Sequence, residues 1–315
     1  MRRWLKRGAV ALLLVVVVFV FGFAPFWLAG LATTRRYQFP DRENAGLTPS
    51  SFNVAFEDVS FAASDGVPLK GWWVQAPQAK GSVVLVHGLN RSRIEMVKKT
   101  AFLAREGWNA VLFDLRHHGE SGGQTTTLGV KEKEDVKAAV ALARQKAPGL
   151  PVVVWGVSLG GASATFAAAD DPGIAALVCD SSYRSLRDTV RHHVVMARGF
   201  RWWTRLIPQW PAADIATFWM GRRGGFDPDA VDVVAAARKL NGRPALFVCN
   251  SDDRRMPKEI AFELKEAAGA RARVLVVPGT SHGGAYRDAT PAYEHAVSEL
   301  LNEVVNAADP RLASR

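Results

Sequence analysis

The chain opens on one long apolar block and then alternates short apolar runs with polar segments. Residues 9–31 carry no charge and include Leu12-Leu13-Leu14-Val15-Val16-Val17-Val18-Phe19. As a helix this block would span about 35 Å, enough to cross a hydrocarbon core of roughly 30 Å. Pro25 would break a helix in water, whereas membrane helices tolerate proline. Phe26 and Trp27 fall near the far end, where an interfacial aromatic belt belongs. After residue 52 the pattern changes. Residues 53–61 and 69–75 predict two strands around the turn Ser64-Asp65-Gly66. Further strands are expected at 83–86, 110–113, 152–155, 175–179, 245–249 and 273–277. Helices are expected between them at 95–105, 130–146, 161–169 and 258–268, with a last one at 291–305. This alternation predicts an α/β fold, a mostly parallel central sheet with helices on both faces.

The expected organisation is a basic segment and transmembrane anchor over 1–32, a linker over 33–52, one α/β domain over 53–306 and a tail over 307–315. The stretch 183–239 separates two sheet strands and is too long for an ordinary connection. It predicts a helical cap insertion over the carboxyl edge of the sheet, where open α/β sheets bind ligands. Most of Trp202, Trp203, Trp210 and Trp219 within it are expected to form the packing of the cap. Its basic residues, among them Arg184, Arg187, Arg191, Arg198, Arg201, Arg205, Arg222 and Arg223, suit a solvated face or contact with anionic lipid headgroups.

Charge bears on topology more than on fold. The formal net charge is +10, but no nucleic-acid module is recognisable, and many of the cations flank the apolar block or lie in the insertion. Arg2, Arg3, Lys6 and Arg7 precede the block as a signal peptide's basic region would, and Gly30-Leu31-Ala32 offers small residues for cleavage. The block is longer than the apolar core of a signal peptide, which favours an uncleaved single-pass anchor. The basic excess before it, against Arg35, Arg36 and Arg42 after it, predicts a cytoplasmic amino terminus and the bulk of the chain across the membrane. Cys179 and Cys249 each end an apolar run and read as buried free thiols.

The candidate chemistry centres on Gly156-Val157-Ser158-Leu159-Gly160, which fits G-x-S-x-G between a β-branched strand and a small-residue helix. That context predicts a nucleophile elbow with Ser158 exposed at a helix amino terminus. A serine hydroxyl is a weak nucleophile near neutral pH and needs a base, an orienting carboxylate and oxyanion donors. His282, in Pro278-Gly279-Thr280-Ser281-His282-Gly283-Gly284 after the last strand, is the base at the same sheet edge. Asp252 and Asp253 follow the preceding strand and supply two candidate acids. The Leu159 N–H is one expected oxyanion donor. The other comes from His87-Gly88-Leu89 after the 83–86 strand, assigned to Leu89 with Gly88 as the alternative. His87 is expected to support that loop by hydrogen bonding. His117-His118 and His192-His193 lack further ligands at metal spacing, and Gly119 to Gly123 lacks nucleotide fingerprints; neither a metal nor a cofactor is expected.

These residues resemble the α/β-hydrolase superfamily over roughly residues 53–305. Three motifs carry the resemblance: Leu85-Val86-His87-Gly88, Asp114-Leu115-Arg116-His117-His118-Gly119-Glu120-Ser121, and Gly156 to Gly161. The second is similar to a D-x-R-G-x-G-x-S turn and departs from it at His117, where many members have glycine. Within the superfamily the chain resembles bacterial membrane-anchored hydrolases of the serine aminopeptidase-like and dienelactone hydrolase-like kinds. The acid there often stands in D-x-x-[VIM]-P, which Asp253-Arg254-Arg255-Met256-Pro257 fits, so the resemblance selects Asp253 over Asp252. Some members carry the acid where Asp180 stands, which makes it the third candidate.

The reading that follows is a serine hydrolase cleaving carboxylic esters through an acyl-enzyme. Its substrate would be a small-molecule or lipid-like ester, with the membrane as a partner and nucleic acid excluded. A peptidase, thioesterase or acyltransferase with the same triad is the first alternative. The second is a non-catalytic membrane-tethered binding protein on the same fold.

Overall fold

The structure, a computed structural model, describes residues 2–34, 44–199 and 208–308. Arg35, Arg36, Arg42, Arg201, Trp202, Trp203 and Arg205 lie outside the described residues, as does most of the expected tail. Eight strands form one sheet: β1 (Glu57–Ala62), β2 (Pro68–Val74), β3 (Gly81–Val86), β4 (Trp108–Phe113), β5 (Val152–Val157), β6 (Ile174–Asp180), β7 (Ala245–Asn250) and β8 (Ala272–Val277). Their spatial order is β1-β2-β4-β3-β5-β6-β7-β8. The β1–β2 hairpin is antiparallel, β2 runs antiparallel to β4, and every other pair is parallel. β3, β4, β5 and β7 are buried along their whole length. Their continuous Val- and Leu-rich runs follow from burial on both faces, which leaves no polar face to alternate with.

The helices are α1 (Arg2–Val18), α2 (Ala24–Thr33), α3 (Lys99–Glu106), α4 (Glu132–Lys146), α5 (Leu159–Asp170), α6 (Leu186–Arg198), α7 (Gln209–Gly224), α8 (Val233–Arg238), α9 (Glu259–Ala268), α10 (Ala285–Asp288) and α11 (Thr290–Ala308). One face of the sheet buries apolar residues of α4, α5, α8 and α9; the other buries those of α3 and α11. Two expectations shift locally. The helix expected from residue 95 starts as a 3-10 turn, Arg93–Met96, because Asp114 holds both the Arg93 N–H and its guanidinium at 2.7 Å. The strand expected from residue 53 starts at Glu57, because Asn53 takes a left-handed φ of 58° to close the turn Pro49–Phe52.

The apolar amino-terminal block is one helical run, Arg3–Thr33, of 31 residues, long and apolar enough to cross a membrane. A π-helical turn, Phe19–Phe23, joins α1 to α2. It shifts the hydrogen-bond register just before Pro25, which has no N–H to contribute. The two halves differ in their surroundings. Leu12, Leu13 and Leu14 on α1 are exposed, whereas Pro25, Ala29, Gly30 and Thr33 on α2 are buried. α2 packs along α7. There the Phe26 ring meets Trp219 edge-on at 5.0 Å, and the Arg223 guanidinium lies 4.3 Å from the Phe26 ring centre. Arg223 also donates to the Thr34 hydroxyl at 3.1 Å, and the Thr126 N–H donates to the Thr33 carbonyl at 2.8 Å.

Candidate active site

Ser158 stands between the end of β5 and the start of α5 with φ 54° and ψ −114°. Such a backbone costs a non-glycine residue about 1–3 kcal/mol and persists only where its surroundings hold it. The neighbouring glycines supply the room. A Cβ on Gly156 would lie 2.2 Å from the Gly160 carbonyl carbon, and one on Gly160 would lie 2.2 Å from the Val86 carbonyl oxygen. β5, α5 and the loop after β3 can therefore close on one another only with glycine at both positions. The Ser158 N–H donates to the Asp180 carbonyl at 2.8 Å and ties the turn to β6.

His282, on the loop between β8 and α10, brings Nε2 to 2.9 Å from Ser158 Oγ. Its Nδ1 lies 2.7 Å from Asp253 Oδ2. An ionised carboxylate only accepts, so Nδ1 carries the proton and Nε2 is left to accept from the serine hydroxyl. Asp253 is 4% exposed, and its Oδ1 accepts from the Arg255 and Met256 N–H groups at 2.8 and 3.1 Å. Burial alone would raise its pKa. The His282 hydrogen bond and charge and the two N–H donors outweigh burial and hold the carboxyl below its usual value.

The other two carboxylates point elsewhere. Asp252 is exposed and accepts from the Ser251 hydroxyl at 2.5 Å. Asp180 is fully buried and accepts from the Ser181 hydroxyl at 2.8 Å and the Tyr293 hydroxyl at 3.1 Å. Burial pushes its pKa up. Tyr293 in turn accepts from Trp155 Nε1 at 3.0 Å, so Asp180 anchors a polar network beneath the sheet edge. Ser181 also accepts from the Gly283 N–H at 3.2 Å, which steadies the loop that carries His282.

The loop after β3 sorts the two oxyanion candidates. The Gly88 N–H donates to Glu95 Oε2 at 2.7 Å and is already committed. Neither the Leu89 N–H nor the Leu159 N–H donates to a described residue, and both residues line one cavity with Ser158. His87 is buried; its Nδ1–H donates to the Gly88 carbonyl at 2.8 Å and its Nε2 accepts from the Leu115 N–H at 3.0 Å. Burial keeps it neutral by pushing its pKa well down. His117, the departure from the family turn, takes a φ of 64°. That is the left-handed region glycine fills most easily, and among the described residues neither buried ring nitrogen has a partner. His118 does have partners: it accepts from the Asn90 N–H at 3.2 Å and donates to the Arg116 carbonyl at 2.8 Å.

The cavity over Ser158 has a volume of about 370 Å³, within the roughly 300–1,000 Å³ usual for ligand pockets. Its described lining is largely apolar, with Leu89, Leu128, Val190 and Met256 among its walls, and contains no acidic residue. A larger open depression, about 590 Å³ and lined by Arg187, Asp214 and Phe218, includes neither Ser158 nor His282. Sequence reasoning did not place His193 or Arg255 at the cavity they line, or Glu95 on the loop after β3, where it holds the Gly88 N–H. A signal for the first existed. Leu186, Thr189, Val190, His193, Val194 and Ala197 follow the three- and four-residue spacing of one helix face, and all six line the cavity. Of the two described cap tryptophans, Trp219 packs against Phe26 and Trp210 is 77% exposed.

A family model described as serine aminopeptidase, S33, matches residues 77–244. The chain belongs to this family of α/β hydrolases. The uncharacterized protein YqkD of Bacillus subtilis is 25% identical over 242 residues, which cover 76% of this chain and 77% of YqkD. The quorum-quenching protein AidA of Acinetobacter baumannii is 40% identical over 103 residues, but these are 30% of this chain and 33% of AidA. In fold, the chain is similar to the esterase Pf2001 of Pyrococcus furiosus, with a TM-score of 0.68 and 24% identity over 82% of this chain and 95% of that one. The expected fold class and superfamily hold, and the chain is an α/β-hydrolase-type enzyme.

Proposed function

We propose that the protein is a membrane-anchored serine hydrolase that cleaves carboxylic esters through an acyl-enzyme. The observation that carries this reading is the unbroken relay from Asp253 through His282 to Ser158 beside an apolar cavity. Ser158 Oγ attacks the ester carbonyl as His282 Nε2 takes its proton. Asp253 holds the imidazole in the required tautomer and stabilises the imidazolium that forms. The Leu159 and Leu89 N–H groups bind the oxyanion of the tetrahedral intermediate. His282 then gives its proton to the departing alcohol, leaving the acyl group on Ser158. Water, deprotonated by the same histidine, attacks the acyl carbonyl and releases the carboxylic acid. The balance is one ester and one water in, one acid and one alcohol out.

The cavity favours an ester over the aminopeptide that the family's description suggests. An aminopeptidase must hold a free α-ammonium, and none of the described residues lining the cavity is a carboxylate. Helices α6 and α7 serve as the cap of one α/β-hydrolase domain over residues 53–306. The amino-terminal helix remains attached as a single-pass anchor, with the amino terminus on the cytoplasmic side. Turnover of 4-nitrophenyl esters and alanyl 4-nitroanilide by the full-length protein tests the substrate reading. Ester cleavage lost in Ser158→Ala is expected; turnover of the anilide alone would overturn it.

A further inference from the structure

The cavity over Ser158 is walled in part by the helix that otherwise reads only as an anchor. Leu28 and Ala32 of α2 both line it. Four residues apart, they lie one turn above the other on the same helix face. Neighbouring faces of α2 hold it in place: Ala29, Gly30 and Thr33 are buried, and the contacts of Phe26, Thr33 and Thr34 with Trp219, Thr126 and Arg223 fasten this end to the body. One turn of α2 therefore belongs to the catalytic domain as firmly as to the span. α7, which packs along it, leaves Trp210 and Phe218 77% and 56% exposed. Large exposed aromatics beside the end of an apolar span suit the boundary between hydrocarbon and water.

We infer that Leu28 and Ala32 make the membrane helix a wall of the acyl pocket, and that the substrate is a lipid ester whose long acyl chain enters from the leaflet where α2 ends. The inference rests on the serine-esterase reading above. The chain of the lipid passes from one apolar medium to another, from the bilayer to a cavity that contains Leu28, Ala32, Val194 and Met220. Little hydration has to be stripped from it on the way. Its carbonyl meets Ser158, and hydrolysis leaves a fatty acid in the cavity and releases the headgroup-bearing alcohol. Cleavage after Ala32 as a signal peptide would remove both wall residues, so the proposal also requires an intact amino terminus.

The test compares butyryl and dodecanoyl esters of 4-nitrophenol on the full-length protein in detergent micelles. Ala32→Phe fills the cavity from the anchor side. We expect it to lower the dodecanoyl-to-butyryl ratio of kcat/KM by about tenfold or more. Leu28→Ala, at a half-exposed position where folding is not at stake, opens the same wall and should lower the dodecanoyl-to-butyryl ratio in the same sense. Wild-type cleavage of both esters with a ratio unmoved by either variant would overturn the wall while leaving the esterase reading intact. No cleavage of either ester by wild type would overturn the esterase reading and, with it, the lipid substrate.

Discussion

Among the three carboxylates that the sequence brought forward, geometry separates one from the others. Asp253 is buried, carries two backbone donors on one oxygen and presents the other to His282. Asp180 is spent on Ser181 and Tyr293, and Asp252 faces solvent. Asp253→Asn should therefore reduce kcat by about 10³–10⁴-fold, because an amide presents the wrong hydrogen-bonding pattern to Nδ1. Asp252→Asn should leave kcat within about twofold. Steady-state kinetics on one short ester checks both. The depressed Asp253 pKa also has a sign in stability. An acid held below its unfolded value, about 3.9, stabilises the fold above that value and loses the contribution as pH falls through the folded one. Thermal melts across pH 3–7 should show the gap between wild type and Asp253→Asn widest above about pH 4 and narrowing below it. A gap that widened with acid would reverse the assignment. Ser158, His282 and the Asp252-Asp253 pair were legible because each stands in a short motif at a strand end. Position after the strand left two adjacent carboxylates open, since which of them turns inward depends on the loop after β7; only the resemblance, through D-x-x-[VIM]-P, chose Asp253.

At the scale of elements, the alternation of apolar runs was enough to predict the strands of the sheet and the helices between them, because β3, β4, β5 and β7 are buried on both faces and leave a dense signature. It misplaced the starts of β1 and α3, where a left-handed Asn53 and an Asp114–Arg93 pair override periodicity. The elbow is the element most exposed to test. Gly160→Ala would press a methyl against the Val86 carbonyl oxygen, which belongs to a paired strand and has nowhere to move. A loss of more than about 2 kcal/mol, or failure to fold, is expected. Gly161→Ala comes no nearer than 3.1 Å to any neighbour, the Cys179 sulfur, and should cost about 1 kcal/mol. Melting temperatures of the two variants should fall in that order. Glu95 shows what an element-level reading leaves out. Its carboxylate commits the Gly88 N–H across a loop, a contact with no periodic signature.

For the whole molecule, the long apolar amino-terminal helix and the α/β-hydrolase domain were both visible in the sequence, but as separate parts. Their contact was not, since Leu28 and Ala32 lie more than a hundred residues from Ser158 and look like any other members of an apolar run. Only the packing of α2 on α7 brings them together. An uncleaved anchor predicts that mass spectrometry of the protein purified from membranes finds residues 1–32 still attached; a mature chain beginning near residue 33 would remove the anchor and the wall together. The central claim is that Ser158, activated by His282, is the nucleophile of this membrane-held enzyme. Fluorophosphonate labelling of native membranes carrying the full-length chain tests it most directly. The account predicts a single labelled band in wild type, with the adduct on Ser158 and no labelling in Ser158→Ala. An unlabelled wild type, or a Ser158→Ala variant labelled as strongly, would contradict it.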